Sequence, residues 1–327
     1  MNLQKTLNIV REYSGVRSKQ QLKQVLQSVS SGASHNIKNG DDAAALPSSD
    51  GHLLFAMEGF IPAFVAHDPW FAGWCGVMVN CSDIAAMGGR PTAITNAIWS
   101  DDDDVLRQLL RGMTAASSAF GVPIVGGHTC QNNGSNQLSV SIIGQATNLL
   151  TSFDACEGDL LICAIDLRGE YREPFLNWDA ATSAPPEQLK GDIGLLPLIA
   201  AIDGVTGAKD ISQAGILGTA AMFMDCSETG VDIDLSQIPK PADVCWEDWL
   251  RTFPSFGYLI SCKAACAEAV KNLFQSRNIH TGLLGEINSN QHITVTFNGV
   301  TETFFDLTES RFMVPARETQ LTLSETQ

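Results

Sequence analysis

The sequence lacks the features that define several common classes of protein. No stretch reaches the roughly 18 uninterrupted apolar residues of a membrane-spanning helix, so we expect no membrane partner. The N-terminus has no apolar signal-peptide core, and the nine cysteines include no C-x-x-C pair. We therefore expect a cytoplasmic protein with reduced, mostly buried thiols.

Basic residues are also scarce. The chain has 20 Lys and Arg against 36 Asp and Glu, a formal net charge of −16. This balance argues against nucleic acid as a partner, because a phosphate backbone requires an excess of Lys and Arg. Hydrophobic residues make up 44% of the chain and charged residues 17%, which is typical of a globular protein.

The segment from Asp68 to Arg90 predicts a buried helix. Asp68 is a candidate N-cap with Pro69 at the first helical position, and two glycines follow the last apolar residue. Asn80 and Asp83 interrupt the apolar sequence one turn apart. A carboxylate in such a helix is unfavourable unless it is paired or holds a metal ion. Asp83 is therefore either a metal ligand or a carboxylate that caps or pairs with a neighbour.

A second group of acids follows a probable turn. Asn39-Gly40 favours a tight turn, and Asp41 and Asp42 come directly after it. Adjacent acids repel unless a cation or several donors lie between them, although N-G-D-D is also ordinary turn chemistry. Glu58 directly follows the next predicted strand, residues 53–57.

Two further segments carry polar residues beside glycine. The predicted strand V-P-I-V ends in Gly126-Gly127-His128-Thr129, where uncovered backbone N–H groups favour an anion. Asp210 precedes a predicted helix in A-K-D-I-S-Q-A-G-I-L-G.

The order of elements predicts a mixed α/β (α+β) protein of two domains, residues 1–155 and 156–327. Asn298-Gly299 between two apolar segments predicts a hairpin. Residues 166–188 form a predicted mobile loop and a candidate substrate lid, although an ordinary surface loop has the same composition. The candidate lid residues are Arg168, Glu170, Arg172, Trp178 and Asp179.

The acids come from separate parts of the chain. If they converge in space, they suit a magnesium ion, which takes a few carboxylates and completes its shell with water and phosphate oxygens. The acids in question are Asp41, Asp42, Glu58, Asp83 and Asp210.

Four motifs in this order give the chain a family resemblance. They are N-G-D-D-A-A-A-L, V-N-C-S-D-I-A-A-M-G-G-R-P, V-G-G-H-T and K-D-I-S-Q-A-G-I-L-G. The chain resembles the superfamily of aminoimidazole ribonucleotide (AIR) synthetase, thiamine-monophosphate kinase, selenophosphate synthetase and the hydrogenase-maturation dehydratase.

The resemblance implies a fold and a reaction. The fold is the two-domain AIR-synthetase-like fold, in which N-terminal domains pair into a β-barrel in a homodimer and the C-terminal domain is a mixed α/β sandwich. ATP would lie between the domains with Mg²⁺ on its phosphates, and the reaction would transfer the terminal phosphoryl group to a small acceptor.

The resemblance also implies residue roles. Asp41, Asp83 and Asp210 would be metal ligands, joined by Asp42 and by Glu58 as the nearest acid after its strand. Asp42 and His128 would be the catalytic candidates. The nucleotide would contact Asn39, Gly40, Asn80, Gly126, Gly127, His128, Thr129 and Lys209.

The chain departs from the family pattern at several positions. Glu58 stands near the place of an Asp, and Gln213 replaces the second Asp of D-I-S-D-G. No Cys precedes Cys75, the C-terminus ends without one, and the G-G-E-T motif is absent. The resemblance is therefore closest to an AIR-synthetase-related protein of unknown substrate.

Two functions follow as hypotheses. The first is an ATP- and Mg²⁺-dependent kinase, or a synthetase that activates an amide-type oxygen. The alternative is a nucleotide-binding maturation or scaffold protein with little turnover, which the Gln213 substitution favours. A third possibility is a dimeric structural protein whose site has decayed.

Overall fold

The first half of the chain forms an open five-stranded sheet. The computed structural model describes residues 1–22, 25–26, 38–131 and 134–312. Two short helices, α1 (Leu3–Glu12) and α2 (Ser14–Lys19), precede the sheet. Its strands are β1 (Ala44–Ser48), β2 (Gly51–Gly59), β3 (Arg90–Trp99), β4 (Ile124–Cys130) and β5 (Gln137–Ala146). The order is β1-β2-β5-β3-β4, and only β3 and β4 run parallel.

Helices cover one face of this sheet. They are α3 (Pro62–His67), α4 (Pro69–Ala86) and α5 (Asp103–Phe120). The α4 helix packs on β2, β3 and β5, and α5 packs on α4. An added Cβ at Gly73 would lie 2.1 Å from the carbonyl oxygen of Leu109, so glycine permits the close approach of these two helices.

The predicted helix from Asp68 is confirmed as α4. The Asp68 side chain accepts a hydrogen bond from Phe71 N, which caps the helix, and Gly88 follows it with φ +73°. Every residue from 71 to 86 is buried, because the sheet lies on one side of α4 and α5 on another. This burial accounts for the lack of a polar face in the helix.

The second half of the chain builds a larger sheet. Its strands are β6 (Leu160–Ile165), β9 (Val205–Asp210), β10 (Gly230–Asp234), β12 (Gly257–Cys262), β13 (His280–Asn288), β14 (His292–Phe297) and β15 (Val300–Asp306). The order is β15-β14-β10-β13-β6-β12-β9, and only β10 and β14 run parallel. A small sheet joins β7 (Glu170–Tyr171), β8 (Asn177–Asp179) and β11 (Phe253–Pro254). Asn298 and Gly299 both have positive φ between β14 and β15, so the predicted hairpin is confirmed.

Among the described residues, five helices and a 3₁₀ turn complete this half. The helices are α6 (Pro186–Ile193), α7 (Leu195–Ile199), α8 (Gly215–Ser227), α9 (Trp246–Trp249) and α10 (Ala267–Gln275), and the turn is Leu235–Gln237. The amphipathic α1 also packs in this half through Leu3, Leu7 and Val10. Arg11 fixes its position by donating hydrogen bonds of 2.7 Å to the carbonyl oxygens of Thr303 and Phe304.

The mixed α/β architecture with two sheet-bearing units is confirmed. Within the described residues the first sheet is open rather than a closed barrel, since β1 and β4 are its edges. The dimeric barrel, the sandwich form of the second half and the boundary at 155/156 stay predictions.

The face of the first sheet opposite the helices, here called the open face, is apolar. Pairing of Leu46 with Leu53 and of Phe55 with Ile143 puts these side chains on one side. Met57 lies there too, two residues from Phe55. Leu46, Phe55, Met57 and Ile143 are all exposed. In the described part of the chain, no helix is both long and apolar enough to cross a membrane.

Candidate functional site

The predicted acids meet in one cleft between the two halves. This acid cleft has a volume of about 290 Å³ and is lined from the first half by Gly40, Asp41, Asp42, Glu58 and Asp83. Lys209, Asp210 and Gln213 line it from the second half. All five predicted metal-binding acids are therefore brought together, although they are far apart in sequence.

Asp83 is the most isolated carboxylate of the acid cleft. It is 5% exposed, and its Oδ2 has no hydrogen-bond partner among the described residues. Burial raises the pKa of Asp83 well above its ordinary value, and the charges of Asp210 and Glu58 raise it further. A buried oxygen with no donor is unfavourable, so this geometry favours a bound cation.

Asp210 and Glu58 share this environment. Asp210 ends β9, and burial followed by the charge of Asp42 raises the pKa of Asp210 well above its usual range. Burial also raises the pKa of Glu58, while Lys19 lowers it in part. The cleft thus holds more negative charge than its own cations neutralise, which is a common basis for binding a divalent ion.

Lys209 neutralises the other two acids. Its Nζ forms an ion pair with Asp42 and lies 3.6 Å from Asp41 Oδ1, and all three side chains are almost fully buried. Burial lowers the pKa of Lys209, but Asp42 and Asp41 outweigh burial, so the pKa lies above its ordinary value. Lys209 therefore remains charged in the cleft.

Asp41 and Asp42 also bind backbone donors. Asp41 accepts hydrogen bonds from Ser152 N at 2.6 Å and Ser152 Oγ at 2.5 Å. Asp42 Oδ2 accepts from Asp210 N at 3.1 Å. Asp42 thus contacts the second half through both of its oxygens, one with Lys209 and one with Asp210 N, and Ser152 contacts both oxygens of Asp41.

The acids are not a preformed metal cage. Among the described residues, no three Asp, Glu, His or Cys side chains stand close enough to hold a metal ion by themselves. The donor set nevertheless fits Mg²⁺, because this ion keeps several waters and takes phosphate oxygens together with one or two carboxylates. Two observations support this assignment to Mg²⁺: the unpaired oxygen of Asp83, and the raised pKa values of Asp83 and Asp210.

The other predicted nucleotide-binding residues lie outside the lining of the acid cleft. Asn39 is exposed beside Gly40, whose φ is +106°. Asn80 is fully buried in α4; its Nδ2 donates to Gly76 O at 2.8 Å, and its Oδ1 has no partner in the described part of the chain. The motif from Gly126 to Thr129 lies exposed on β4, the edge strand of the first sheet.

The segment predicted as a mobile lid contains two short strands, β7 and β8. Arg172 pairs with Asp68 at 2.8 Å and with Asp179 at 3.5 Å, and Arg168 pairs with Asp166 and Asp192. The five candidate lid residues do not line the acid cleft, and their role as a lid stays a prediction.

Sequence reasoning missed two contributors to the site. Lys19 from α2 lines the cleft, and Ser152 binds Asp41 across 111 positions of sequence. A lysine at the end of a short helix gives no sequence signal of its own. For Ser152 the only signal was its place just before the predicted domain boundary.

Comparison with known families places the chain in one family. The family model described as AIR synthase related protein, N-terminal domain, matches residues 40–146, and the model of the C-terminal domain matches residues 173–298. The chain belongs to the family of AIR-synthase-related proteins, as the four motifs predicted.

Individual relatives span a range of similarity. An uncharacterized protein of Synechocystis sp. is 41% identical over 312 residues, 95% of each chain. An uncharacterized protein of Methanocaldococcus jannaschii is 34% identical over 94% of this chain and 97% of that protein. Thiamine-monophosphate kinase of Pyrococcus horikoshii is 31% identical over 161 residues, 46% of this chain and 50% of the kinase.

Two solved structures share the fold. T. maritima PurL complexed with ATP superposes with a TM-score of 0.73 at 16% identity, over 95% of this chain and 55% of that one. AaThiL complexed with AMPPCP and TMP gives a TM-score of 0.64 at 17% identity, over 86% and 94%. The chain thus spans about half the length of this PurL chain. At these identities the likeness shows the fold alone.

Proposed function

We propose that this chain is an ATP- and Mg²⁺-dependent enzyme that transfers a phosphoryl group to a small acceptor. It acts as a kinase, or as a synthetase that activates an amide-type oxygen. The observation that carries the proposal is the unpaired, buried Asp83 carboxylate facing Asp210 and Glu58 across the acid cleft. A partial relative named as a kinase, and chains of this fold bound to ATP or AMPPCP, support it.

The acids of the cleft divide between two roles in this proposal. Asp83, Asp210 and Glu58 would hold Mg²⁺, which neutralises charge on phosphate oxygens when it is bound. Asp41 and Asp42, although predicted as ligands, already accept hydrogen bonds at both oxygens, so they would act mainly by fixing the turn and joining the two halves. Lys209 would remain charged beside the phosphates.

The transfer is a single displacement. The acceptor oxygen bonds to the γ-phosphorus while the bond from that phosphorus to the β,γ-bridging oxygen breaks, and ADP leaves with the electron pair. A hydroxyl acceptor gives its proton to a base, for which Asp42 is the candidate at the cleft and His128 the second candidate. Most of the catalysis would come from positioning and charge neutralisation.

A homodimer would complete the site. The open face is a large apolar surface, and exposed apolar patches of this kind mark interaction surfaces. Asn39, Asn80 and the motif from Gly126 to Thr129 remain candidates for phosphate contacts. Because β4 is an exposed edge strand outside the lining of the cleft, we propose that pairing of two copies brings this motif to a nucleotide. The cytoplasmic location stays a prediction.

A second candidate function is a nucleotide-binding maturation or scaffold protein with little turnover. Gln213, which lines the acid cleft where the family pattern has Asp, favours this candidate. An amide carries no charge, so it weakens one edge of a cation site.

Calorimetric titration with AMPPCP, with and without Mg²⁺, tests the proposal. We expect saturable binding that requires Mg²⁺; absence of binding in both conditions would overturn it. ADP formation on addition of fractionated small metabolites then separates the two candidates. Acceptor-dependent ADP supports the enzyme, whereas Mg²⁺-dependent binding without ADP from any fraction supports the scaffold.

A further inference from the structure

A second cavity opens beside the acid cleft. It has a volume of about 580 Å³, within the range of small-molecule sites. We call it the aromatic cavity; its lining includes Tyr13, Phe60, Phe64, Phe175, Arg251 and Phe253. Phe60, Ile61, Gln213 and Phe253 line both cavities, so the two spaces adjoin at these residues.

The walls of the aromatic cavity are flat rings. Phe64 lies edge-on to Phe175 with ring centroids 5.3 Å apart, and its ring lies 6.4 Å from that of Phe60. Phe60, Phe175 and Phe253 remain partly exposed to the cavity rather than closed into the core. Aromatic walls of this kind favour a flat ligand, because stacked and edge-to-face contacts add to the burial of apolar area.

Among the described residues, one charged side chain lines this cavity. Arg251 donates from Nε to Glu247 O and from Nη2 to Asp248 Oδ1, both at 2.8 Å, and its guanidinium lies 5.7 Å from the centre of the Tyr13 ring. These bonds hold the guanidinium in one place. The described lining of the aromatic cavity includes no Asp or Glu, in contrast to the acid cleft. Asp248 neutralises part of the Arg251 charge from outside this lining, but within the described lining Arg251 can donate to an anionic group and no carboxylate is there to bind a cation.

Polar groups lie at the junction of the acid cleft with the aromatic cavity and in the lining of the aromatic cavity. Gln213 lies at the junction, and Asn177 and the Tyr13 phenol line the aromatic cavity. Burial raises the pKa of Tyr13, so the phenol remains a hydrogen-bond donor at neutral pH. An added Cβ at Gly15 would lie 2.0 Å from Gln213 O, so glycine lets α2 contact this loop directly.

We propose that the aromatic cavity is the acceptor site, and that the acceptor has a flat aromatic or heteroaromatic body with an anionic substituent. The body lies against the Phe60, Phe175 and Phe253 rings, and the anionic substituent binds Arg251. The oxygen that takes the phosphoryl group reaches the acid cleft past Gln213. This assignment of substrate class rests on the proposed phosphoryl transfer.

The test uses four matched probes measured by calorimetry: 2-naphthoate, 2-naphthamide, decahydro-2-naphthoate and N-methylquinolinium. We expect saturable binding of 2-naphthoate, about tenfold tighter than the uncharged amide and the saturated acid, since each lacks one of the two contacts. N-methylquinolinium should bind more weakly than 2-naphthoate. The proposal is overturned if 2-naphthoate does not bind, or if N-methylquinolinium binds more tightly than 2-naphthoate. Both results come from the wild-type protein alone.

Variants at the aromatic cavity show whether 2-naphthoate binds there. Arg251→Gln should weaken 2-naphthoate about tenfold and leave the amide unchanged. Phe175→Ala should weaken both aromatic probes. Arg107→Gln, on the exposed surface of α5, is the matched control. Unchanged 2-naphthoate binding in both Arg251→Gln and Phe175→Ala would place it elsewhere and overturn the proposal.

The same titrations separate this proposal from the phosphoryl-transfer proposal. AMPPCP–Mg²⁺ should bind Phe175→Ala as it binds the wild type, since Phe175 does not line the acid cleft. If AMPPCP–Mg²⁺ binds and 2-naphthoate does not, only the acceptor assignment fails. If 2-naphthoate binds and AMPPCP–Mg²⁺ does not, the phosphoryl-transfer function fails while the aromatic anion site stands.

Discussion

Lys209 and Asp42 form a buried ion pair that joins the two halves of the molecule. Their side chains are 5% and 7% exposed. Asp42 follows the turn before β1, and Lys209 comes from β9, 167 positions away. The pair holds two sides of the acid cleft together and neutralises part of its charge.

Removing the cation of this pair should destabilise the folded state. Lys209→Met leaves Asp42 and Asp41 buried without a counter-ion, so we expect a loss of about 3–5 kcal/mol in the free energy of unfolding. Urea denaturation at pH 7 measures it. Lys271→Met, which removes an exposed pair with Glu268, should cost less than about 1 kcal/mol. Equal losses in the two variants would show that the buried pair has no special role.

Stability should fall as pH rises. Folding raises the pKa of Asp83, Asp210 and Glu58, so the folded state binds more protons than the unfolded state above roughly pH 4. The free energy of unfolding therefore decreases as pH increases through the raised pKa values. Thermal unfolding between about pH 5 and about pH 8 measures this slope. A melting temperature that rises across this range would contradict the charge repulsion assigned to the cleft.

Much of the fold could be predicted from local signals. The α4 helix follows from Asp68, Pro69 and the glycines after it, because capping is a short-range interaction. The apolar surroundings of Asp83 left open whether it binds a metal ion or pairs with a neighbour, and its place among the site acids came from the family resemblance. Neither the binding of Asp41 by Ser152 nor the approach of Tyr13 to Arg251 could be predicted, because tertiary packing alone brings these residues together. The same limit applies to the candidate lid, in which Arg172 pairs with Asp68, 104 positions away.

The contact of α2 with the Gln213 loop should be sensitive to a single methyl group. Gly15→Ala would place Cβ 2.0 Å from a backbone oxygen, so α2 must move. We expect a loss of about 1–3 kcal/mol, typical of an overpacked contact. Gly59→Ala, whose Cβ would meet nothing within 4 Å, is the stability control. Thermal denaturation of both variants measures the difference, and equal melting temperatures would contradict the close contact.

The open face should mediate dimer formation. Met57→Lys introduces a charge at its most exposed apolar side chain, so it should weaken a dimer at least about 100-fold, because a charge buried without a partner is unfavourable. Leu198→Lys, at an exposed position of α7 in the other half, should leave the dimer intact. Sedimentation equilibrium of the three proteins measures the dissociation constants. A dimer unaffected by Met57→Lys would place the interface on another surface.

The unpaired oxygen of Asp83 is the proposed ligand for nucleotide-bound Mg²⁺. A variant at Asp83 is therefore the most direct test of the proposed function. Asp83→Asn keeps the shape of the side chain and removes its charge. Asp203→Asn, at an exposed turn, is the matched control. The measurement is a calorimetric titration of the wild type and both variants with AMPPCP at fixed Mg²⁺. We expect Asp83→Asn to weaken binding at least about 100-fold and to raise the melting temperature of the ligand-free protein, while Asp203→Asn matches the wild type. Undiminished Mg²⁺-dependent binding by Asp83→Asn would contradict the proposed function.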